Sequence, residues 1–418
     1  MKASQSIKFY REDKFKETPI GKIPEDWKIT RIRNIAKIIM GQSPPSSMYN
    51  KRGEGLPFIQ GKAEFKFIYP SPVLYCSKPI KIANINDILI SVRAPVGDVN
   101  LAPYRLCIGR GLAAIRFNDK TSYLFYFYYF QKIKKFLEVI GKGSTFKAIV
   151  KNDLENLIVP LPPLEEQKVI AQIFSTVDED ILKTDEIIAK TERLKKGLMQ
   201  QLLTKGIGHK EFKETPIGKI PKEWEVVKLN ELGTFQYGYT TSAKDEDTGI
   251  KFLRITDIKE NGMINWSTTP FCEIDKSNFR KYKLKDGDIL FTRIGATTGK
   301  TCYITNPPKS IFGSYLIRFI PRTPKINTKF LHIFTQSSIY WLQINRIKEG
   351  QLKKGINTKT LGQLKLPLPP LQEQEKIIEI FSPVDRKLEV EKKRKEKLEK
   401  IKRGLMDLLL TGKVRVMI

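Results

Sequence analysis

A chain of 418 residues, 40% hydrophobic and 10% aromatic, is too apolar to be disordered and long enough for two or three domains. Its 74 lysines and arginines outweigh 45 acidic residues, and the resulting net charge of +29 points to a polyanionic partner. No stretch approaches the roughly eighteen consecutive apolar residues of a membrane span, and four scattered cysteines and two histidines offer no paired metal-ligand spacing.

The first residues, MKASQSIKFYREDK, lack the apolar core of a signal peptide, so a cytoplasmic location is expected. From there the chain repeats itself. FKETPIGKIP at 15–24 returns letter for letter at 212–221. LPPLEEQKVIAQIFSTVD at 161–178 returns as LPPLQEQEKIIEIFSPVD at 368–385, and LKKGLMQQLLT at 194–204 as IKRGLMDLLLT at 401–411. The first pair is offset by 197 residues (212 − 15) and the second by 207 (368 − 161), so two similar frames hold two different inserts, the second ten residues longer. Residues 205–219 correspond to the C-terminal tail joined to the N-terminal segment. That is the order of a cyclically permuted repeat, and it predicts that the two ends of the chain lie near one another.

Within the inserts, from Trp27 to Pro160 and from Trp224 to Pro367, short strands are broken by Gly, Pro, Asn and Asp. NDILISV at 86–92 matches GDILFTR at 287–293, and AAIRFN and YLIRFIP are the matching later strands. SYLFYFYYFQKIKKFLEVI and KFLHIFTQSSIYWLQINRI each predict a helix over the sheet, with tyrosines as packing. Cys76, Cys107, Cys272 and Cys302 are expected to be buried thiols.

Pro162-Pro163 and Pro369-Pro370 punctuate the chain before two long helical patterns. Ile170, Phe174, Val177 and Ile181 in the first, and Ile377, Phe381, Val384 and Leu388 in the second, follow the alternating three- and four-residue steps of a heptad seam. About forty residues of helix would span ~60 Å. The simplest pairing of two such repeats is antiparallel. The run EKKRKEKLEKIKR at 391–403 reads as a solvated face.

Two motifs mislead. Asn306-Pro307-Pro308-Lys309 imitates an adenine-methyltransferase motif but has lysine where a ring should stack on the flipped base, so it reads as a turn between strands. Gly295 to Thr301, GATTGKT, imitates a phosphate-binding loop, but its first glycine is out of register and a strand follows where a helix is required.

The ordered set of variable segment, PLPPLxEQ helix, second variable segment, second PLPPLxEQ helix, GDIL-type strands and terminal GLMxxLLT resembles the DNA-specificity subunits of type I restriction–modification systems over essentially the whole chain. The resemblance implies an α+β fold. Two globular mixed α/β target recognition domains, 1–160 and 207–367, are separated by antiparallel coiled-coil spacer helices, 161–206 and 368–418. It implies a non-catalytic DNA-binding subunit whose domains each read half of a bipartite asymmetric target, with half-sites about one turn (~34 Å) apart. Its partners would be double-stranded DNA, two methyltransferase subunits and two restriction translocase–nuclease subunits. S-adenosylmethionine, ATP and Mg would belong to those partners, with no cofactor, metal or catalytic residue in this chain. The seam residues would serve as spacer and partner-binding positions. A fused recognition–methyltransferase enzyme and a basic coiled-coil RNA-binding scaffold are the competing readings.

Base edges are read by polar side chains on loops, while phosphates need only charge or backbone amides. Gln42, Ser43, Gln60 and Lys62 in the first insert, and Tyr237, Tyr239, Thr240, Arg254 and Thr256 in the second, occupy corresponding, divergent loops after predicted strands. Arg93 and Arg293 follow the DIL strands, and Lys147, Lys353 and Lys354 are placed to clamp phosphates.

Overall fold

The computed structural model describes residues 7–142, 148–259, 262–349 and 355–417. It divides into two compact units, residues 1–185 with 393–418 and residues 186–392. The division cuts across both long helices, Leu164–Leu202 and Leu371–Leu409. Each recognition domain therefore keeps the first half of its own helix and takes the last part of the other. The second helix runs its full 39 residues with Pro383 inside it.

In the first unit a four-stranded antiparallel sheet is ordered Val99–Leu101, Ile88–Ser91, Leu112–Phe117, Ala36–Met40. Strand alternation sends Ile88, Ile90, Ala113 and Ile115 into one core and Leu89, Leu112 and Ala114 into another, so both faces are covered. The first core is completed by helix Tyr123–Lys132, whose Phe125, Tyr126, Phe127 and Phe130 are fully buried. The aromatic segment makes two helices, Tyr123–Lys132 and Lys134–Lys142, where one was expected. A second, mixed sheet, in which Leu56–Ile59 runs parallel to Leu106–Ile108, packs on the other face.

The second unit repeats the four-stranded order with Thr301–Tyr303, Ile289–Thr292, Leu316–Pro321 and Gly233–Tyr237. Its aromatic segment is likewise two helices, Thr328–Phe334 and Ser338–Glu349, broken at Thr335 to Ser337. Tyr340 is fully buried, as are all four cysteines, in keeping with their expected packing roles. The Asn306–Lys309 segment links strands Thr301–Tyr303 and Ser310–Phe312, with Asn306 at a φ of 43°.

The repeated motifs each close a polar circuit. The aspartate of DIL meets the arginine of IRF: Arg116 donates to both Asp87 oxygens at 3.0 and 2.8 Å, and Arg318 lies 3.0 Å from Asp288. In PLPPLxEQ, the Gln167 carbonyl accepts the backbone N–H of Ser122 at 2.9 Å, and Gln374 accepts that of Asn327 at the same distance. The preceding glutamate accepts the indole N–H of a tryptophan, Glu166 from Trp27 at 3.0 Å and Glu373 from Trp224 at 2.9 Å. The motif therefore seats each helix on the domain that precedes it. Ile170 and Phe174 lie in the first core, and Ile377 and Phe381 in the second, all fully buried. Ile181 is 1% exposed, while Val177, Val384 and Leu388 are half-buried. Ile170, Phe174, Ile181, Ile377 and Phe381 thus anchor the helices to their own units.

The expected proximity of the chain's ends is present as a strand pair, Phe9–Arg11 antiparallel to Val414–Val416.

Within each unit the two helix segments run antiparallel, pinned by lysines from the basic face. In the first unit Lys402 lies 2.7 Å from Asp178 and Lys395 2.6 Å from Asp185. In the second, Lys195 lies 2.5 Å from Asp385 and Lys392 2.7 Å from Glu192. The run 391–403 is thus more than a solvated face, because Lys392, Lys395 and Lys402 face acidic partners. Asp178 is 1% exposed, and burial pushes its carboxyl above the usual range against the pull of Lys402. Lys402→Met should destabilise the protein by about 3–5 kcal/mol in chemical denaturation, since it strands a buried carboxylate. Lys195→Met, whose partner Asp385 is 39% exposed, should cost less than half as much. Equal costs would mean that burial of the aspartate does not set the energy.

Candidate nucleic-acid interface

Three loops of the first unit converge on one crest. Gly41 N–H donates to Leu112 O at 2.8 Å, Gln42 N–H to Ile108 O at 3.0 Å, and Gly109 N–H to Ile59 O at 2.8 Å. The Ser43 hydroxyl accepts from Arg110 N–H at 3.2 Å. A Cβ on Gly41 would stand 2.1 Å from Gly109 O, and one on Gly109 2.9 Å from Gln60 Cα. Only glycine lets these backbones approach so closely. Val92 N–H donates to Gly111 O at 2.9 Å, which brings the following residue, Arg93, to the same edge. Gln42, Gln60, Arg93 and Arg110 are exposed there.

The second unit builds the same backbone. Gly238 N–H donates to Leu316 O at 3.0 Å, Tyr239 N–H to Phe312 O at 2.8 Å and Gly313 N–H to Leu253 O at 2.9 Å. A Cβ on Gly238 would meet Gly313 O at 2.1 Å. Arg293 N–H donates to Tyr315 O at 2.9 Å, as Val92 N–H donates to Gly111 in the other half. Tyr237, Thr240, Thr256 and Tyr315 are exposed.

The expected readers divide accordingly. Gln42, Ser43, Gln60, Arg93, Thr240 and Thr256 stand on the crests. Arg254 belongs to the second crest but is held by Asp257, its Nε and Nη2 donating at 3.1 and 2.9 Å. Those hydrogen bonds raise its pKa further and fix the direction of the guanidinium. The Arg293 guanidinium lies over the Tyr237 ring, 4.9 Å from its centre, so each orients the other. Two residues turn away. Lys62 pairs with Asp98 at 2.5 Å, and the Tyr239 ring packs on Tyr282 at 5.2 Å. Lys147, Lys353 and Lys354 lie outside the described residues.

Arg110 and Tyr315 escaped the sequence reading. Their signal was present, as Gly109-Arg110-Gly111 and Gly313-Ser314-Tyr315 precede the matched LAAIRF and LIRFIP strands with different side chains. Among the described residues no His, Cys, Asp and Glu group could hold a metal, and no helix is long and apolar enough to cross a membrane.

Two crests with one backbone plan and different side chains are what the family match explains. Residues 24–193 and 221–400 each match the type I restriction modification DNA specificity domain. The chain belongs to this family. It is 34% identical over 420 residues to the type I restriction enzyme MjaVIII specificity subunit of Methanocaldococcus jannaschii, with 98% of each chain covered. It is 55% identical over 198 residues to the putative MjaX specificity subunit of the same organism, where the match spans 47% of each chain. The crystal structure of the type I restriction-modification system S subunit from M. genitalium shares the fold, with a TM-score of 0.66, 18% identity, and coverage of 92% of this chain and 96% of that one.

Proposed function

We propose that this chain is the DNA-specificity subunit of a type I restriction–modification complex, with each crest reading one half of a bipartite, asymmetric target. The observation that carries this reading is the pair of crests, alike in backbone and unlike in side chain. On the first, Gln42, Gln60, Arg93 and Arg110 supply the amide and guanidinium groups that pair with adenine and guanine edges in the major groove. On the second, Arg254 is pre-oriented by Asp257, with tyrosine and threonine beside it. The surplus of lysine and arginine supplies the phosphate contacts that position both domains.

The chain itself performs no chemistry in this scheme. Methyl transfer and cleavage belong to two methyltransferase and two translocase–nuclease subunits, which carry the S-adenosylmethionine, ATP and Mg.

Two measurements test the reading. Methylated adenines mapped in cells carrying this chain and a partner methyltransferase should define a bipartite motif, and a continuous palindrome would refute the proposal. Gln60→Ala should relax selection on randomised duplexes by about 1–3 kcal/mol at one position of one half-site. Uniform weakening across all sequences would make Gln60 a phosphate contact.

A further inference from the structure

Within the second unit lies a cavity of about 580 Å³, bounded by the end of the first long helix, by Leu388 and Lys392 of the second, and by helices Thr328–Phe334 and Ser338–Glu349. That volume falls in the range of small-molecule sites. No residue of the crest lines it. Lys195, Lys196, Lys300 and Lys392 stand on its wall, where Glu192 is the one carboxylate among the described residues. Lys195 is matched by Asp385 and Lys392 by Glu192, so among the described residues the charges of Lys196 and Lys300 remain to attract an anion. Met199, Leu203, Ile339 and Trp341 form an apolar side.

The internal repeat shows that this polar interior is a substitution in a common frame. Lys195 donates to Gln336 at 2.6 Å, as Lys402 donates to Gln131 at 3.3 Å in the first unit. Aligning those glutamines sets His332 against Phe127 and Thr335 against Phe130. Both phenylalanines are fully buried, whereas His332 and Thr335 line the cavity. Thr301 joins them, its hydroxyl 2.6 Å from that of Thr335 and 3.3 Å from His332 Nδ1. Burial, helped by Lys195 and Lys329, pushes the imidazole down to about 4, so it is neutral near pH 7 and brings no charge. The GATTGKT segment does not wrap a phosphate as a helix-bound loop would, because strand Thr301–Tyr303 follows it. It nonetheless delivers Lys300 and Thr301 to this wall.

We propose that the cavity binds a small anion with a flat apolar body, of mononucleotide size, its anionic group on Lys196 and Lys300 and its ring against Met199, Leu203 and Trp341. Binding is the whole of the proposal, and no bond is made or broken. ADP is a suitable probe and inorganic phosphate its control, both titrated calorimetrically into the full chain. ADP should bind saturably and at least about tenfold more tightly than phosphate. His332→Phe/Thr335→Phe, which installs the two rings of the other half, should abolish ADP binding. Lys300→Met, a change on a half-buried side chain, should weaken it about tenfold and tests the site even if the double variant folds poorly. Both variants should bind target duplex as the unaltered chain does. Absence of saturable ADP binding, equal affinity for phosphate, undiminished binding by either variant, or displacement of ADP by duplex would each overturn the proposal.

Discussion

Gly41→Ala should cost the first domain its half-site while leaving the second domain's selectivity intact. The added Cβ would stand 2.1 Å from Gly109 O and 2.8 Å from Leu112 O, and both neighbours are backbone. Neither can rotate away, so the loop bearing Gln42 and Ser43 must lift off the crest. Direct readout depends on bidentate geometry, and each lost pair removes about 1–3 kcal/mol of discrimination. With Gln42, Ser43 and the abutting Gln60 and Arg110 all displaced, affinity for a duplex carrying the cognate first half-site should fall by at least about a hundredfold. Gly238→Ala should do the same to the second half-site, because its Cβ would meet Gly313 O at 2.1 Å. Gly61→Ala is the control, with nothing within 4 Å of the added carbon. Selection on duplexes randomised in one half at a time separates the outcomes. If Gly41→Ala and Gly61→Ala behave alike, the convergence of loops is not what presents the readers.

How much of this was legible beforehand depended on the range of the interaction. The DIL and IRF strands, the proline-punctuated helices, the turn at NPPK and the strand after GATTGKT follow from local pattern, and the repeats from laying one half of the chain over the other. Each local signal is settled within about ten residues of chain. That the ends of the chain lie near one another was also foreseeable from repeat order, but their pairing as strands, 9–11 with 414–416, was not. The alternation of Ile170, Phe174, Ile377 and Phe381 was visible, but not what it faces. A heptad pattern reports a buried stripe and does not say whether helix or sheet covers it. The same limit hid Lys392, Lys395 and Lys402 in a run that looks uniformly solvated. Residue type and loop position alone single out Lys62 and Tyr239. Their inward ties to Asp98 and Tyr282 are tertiary and leave no local trace. Glycine spacing was the informative signal for Arg110 and Tyr315, since a close backbone approach is written in glycines even when the approaching loop is distant.

Arg415→Ala should be among the most destabilising single changes in the first unit. The guanidinium is 8% exposed and meets three carboxylates: Glu166 at 2.8 Å through Nε and Nη2, Asp26 at 2.8 Å through Nη1 and Nη2, and Glu12 at 2.9 Å through Nη1. Burial works to lower its pKa, but the hydrogen bonds to Glu166, Asp26 and Glu12 outweigh it and leave the charge more firmly held than in water. Without it, Glu166, whose side chain is 1% exposed, keeps among the described residues only the indole N–H of Trp27 at 3.0 Å. Stranding a buried charge in this way costs about 3–5 kcal/mol. The strand pair of residues 9–11 with 414–416 should loosen with it, read as lost amide-exchange protection at Glu12 and Met417, whose N–H groups donate to Lys413 O and Lys8 O. The second unit supplies the contrast. There His209 Nε2 lies 2.9 Å from Glu373, which also accepts Ile207 N–H at 2.9 Å and the Trp224 indole at 2.9 Å. His209→Ala leaves that carboxylate two donors, so it should cost only about 1 kcal/mol. The Lys14 amide first, and Arg415 with it, hold the Glu12 carboxyl below its usual range. Its contribution is therefore complete above the ordinary glutamate value and is lost as pH falls through the lower folded one. Arg415→Ala should make that acid limb shallower without removing it, because the Lys14 amide remains. A cost below 1 kcal/mol, with the limb unchanged, would show that the three carboxylates hold the chain ends without their common cation.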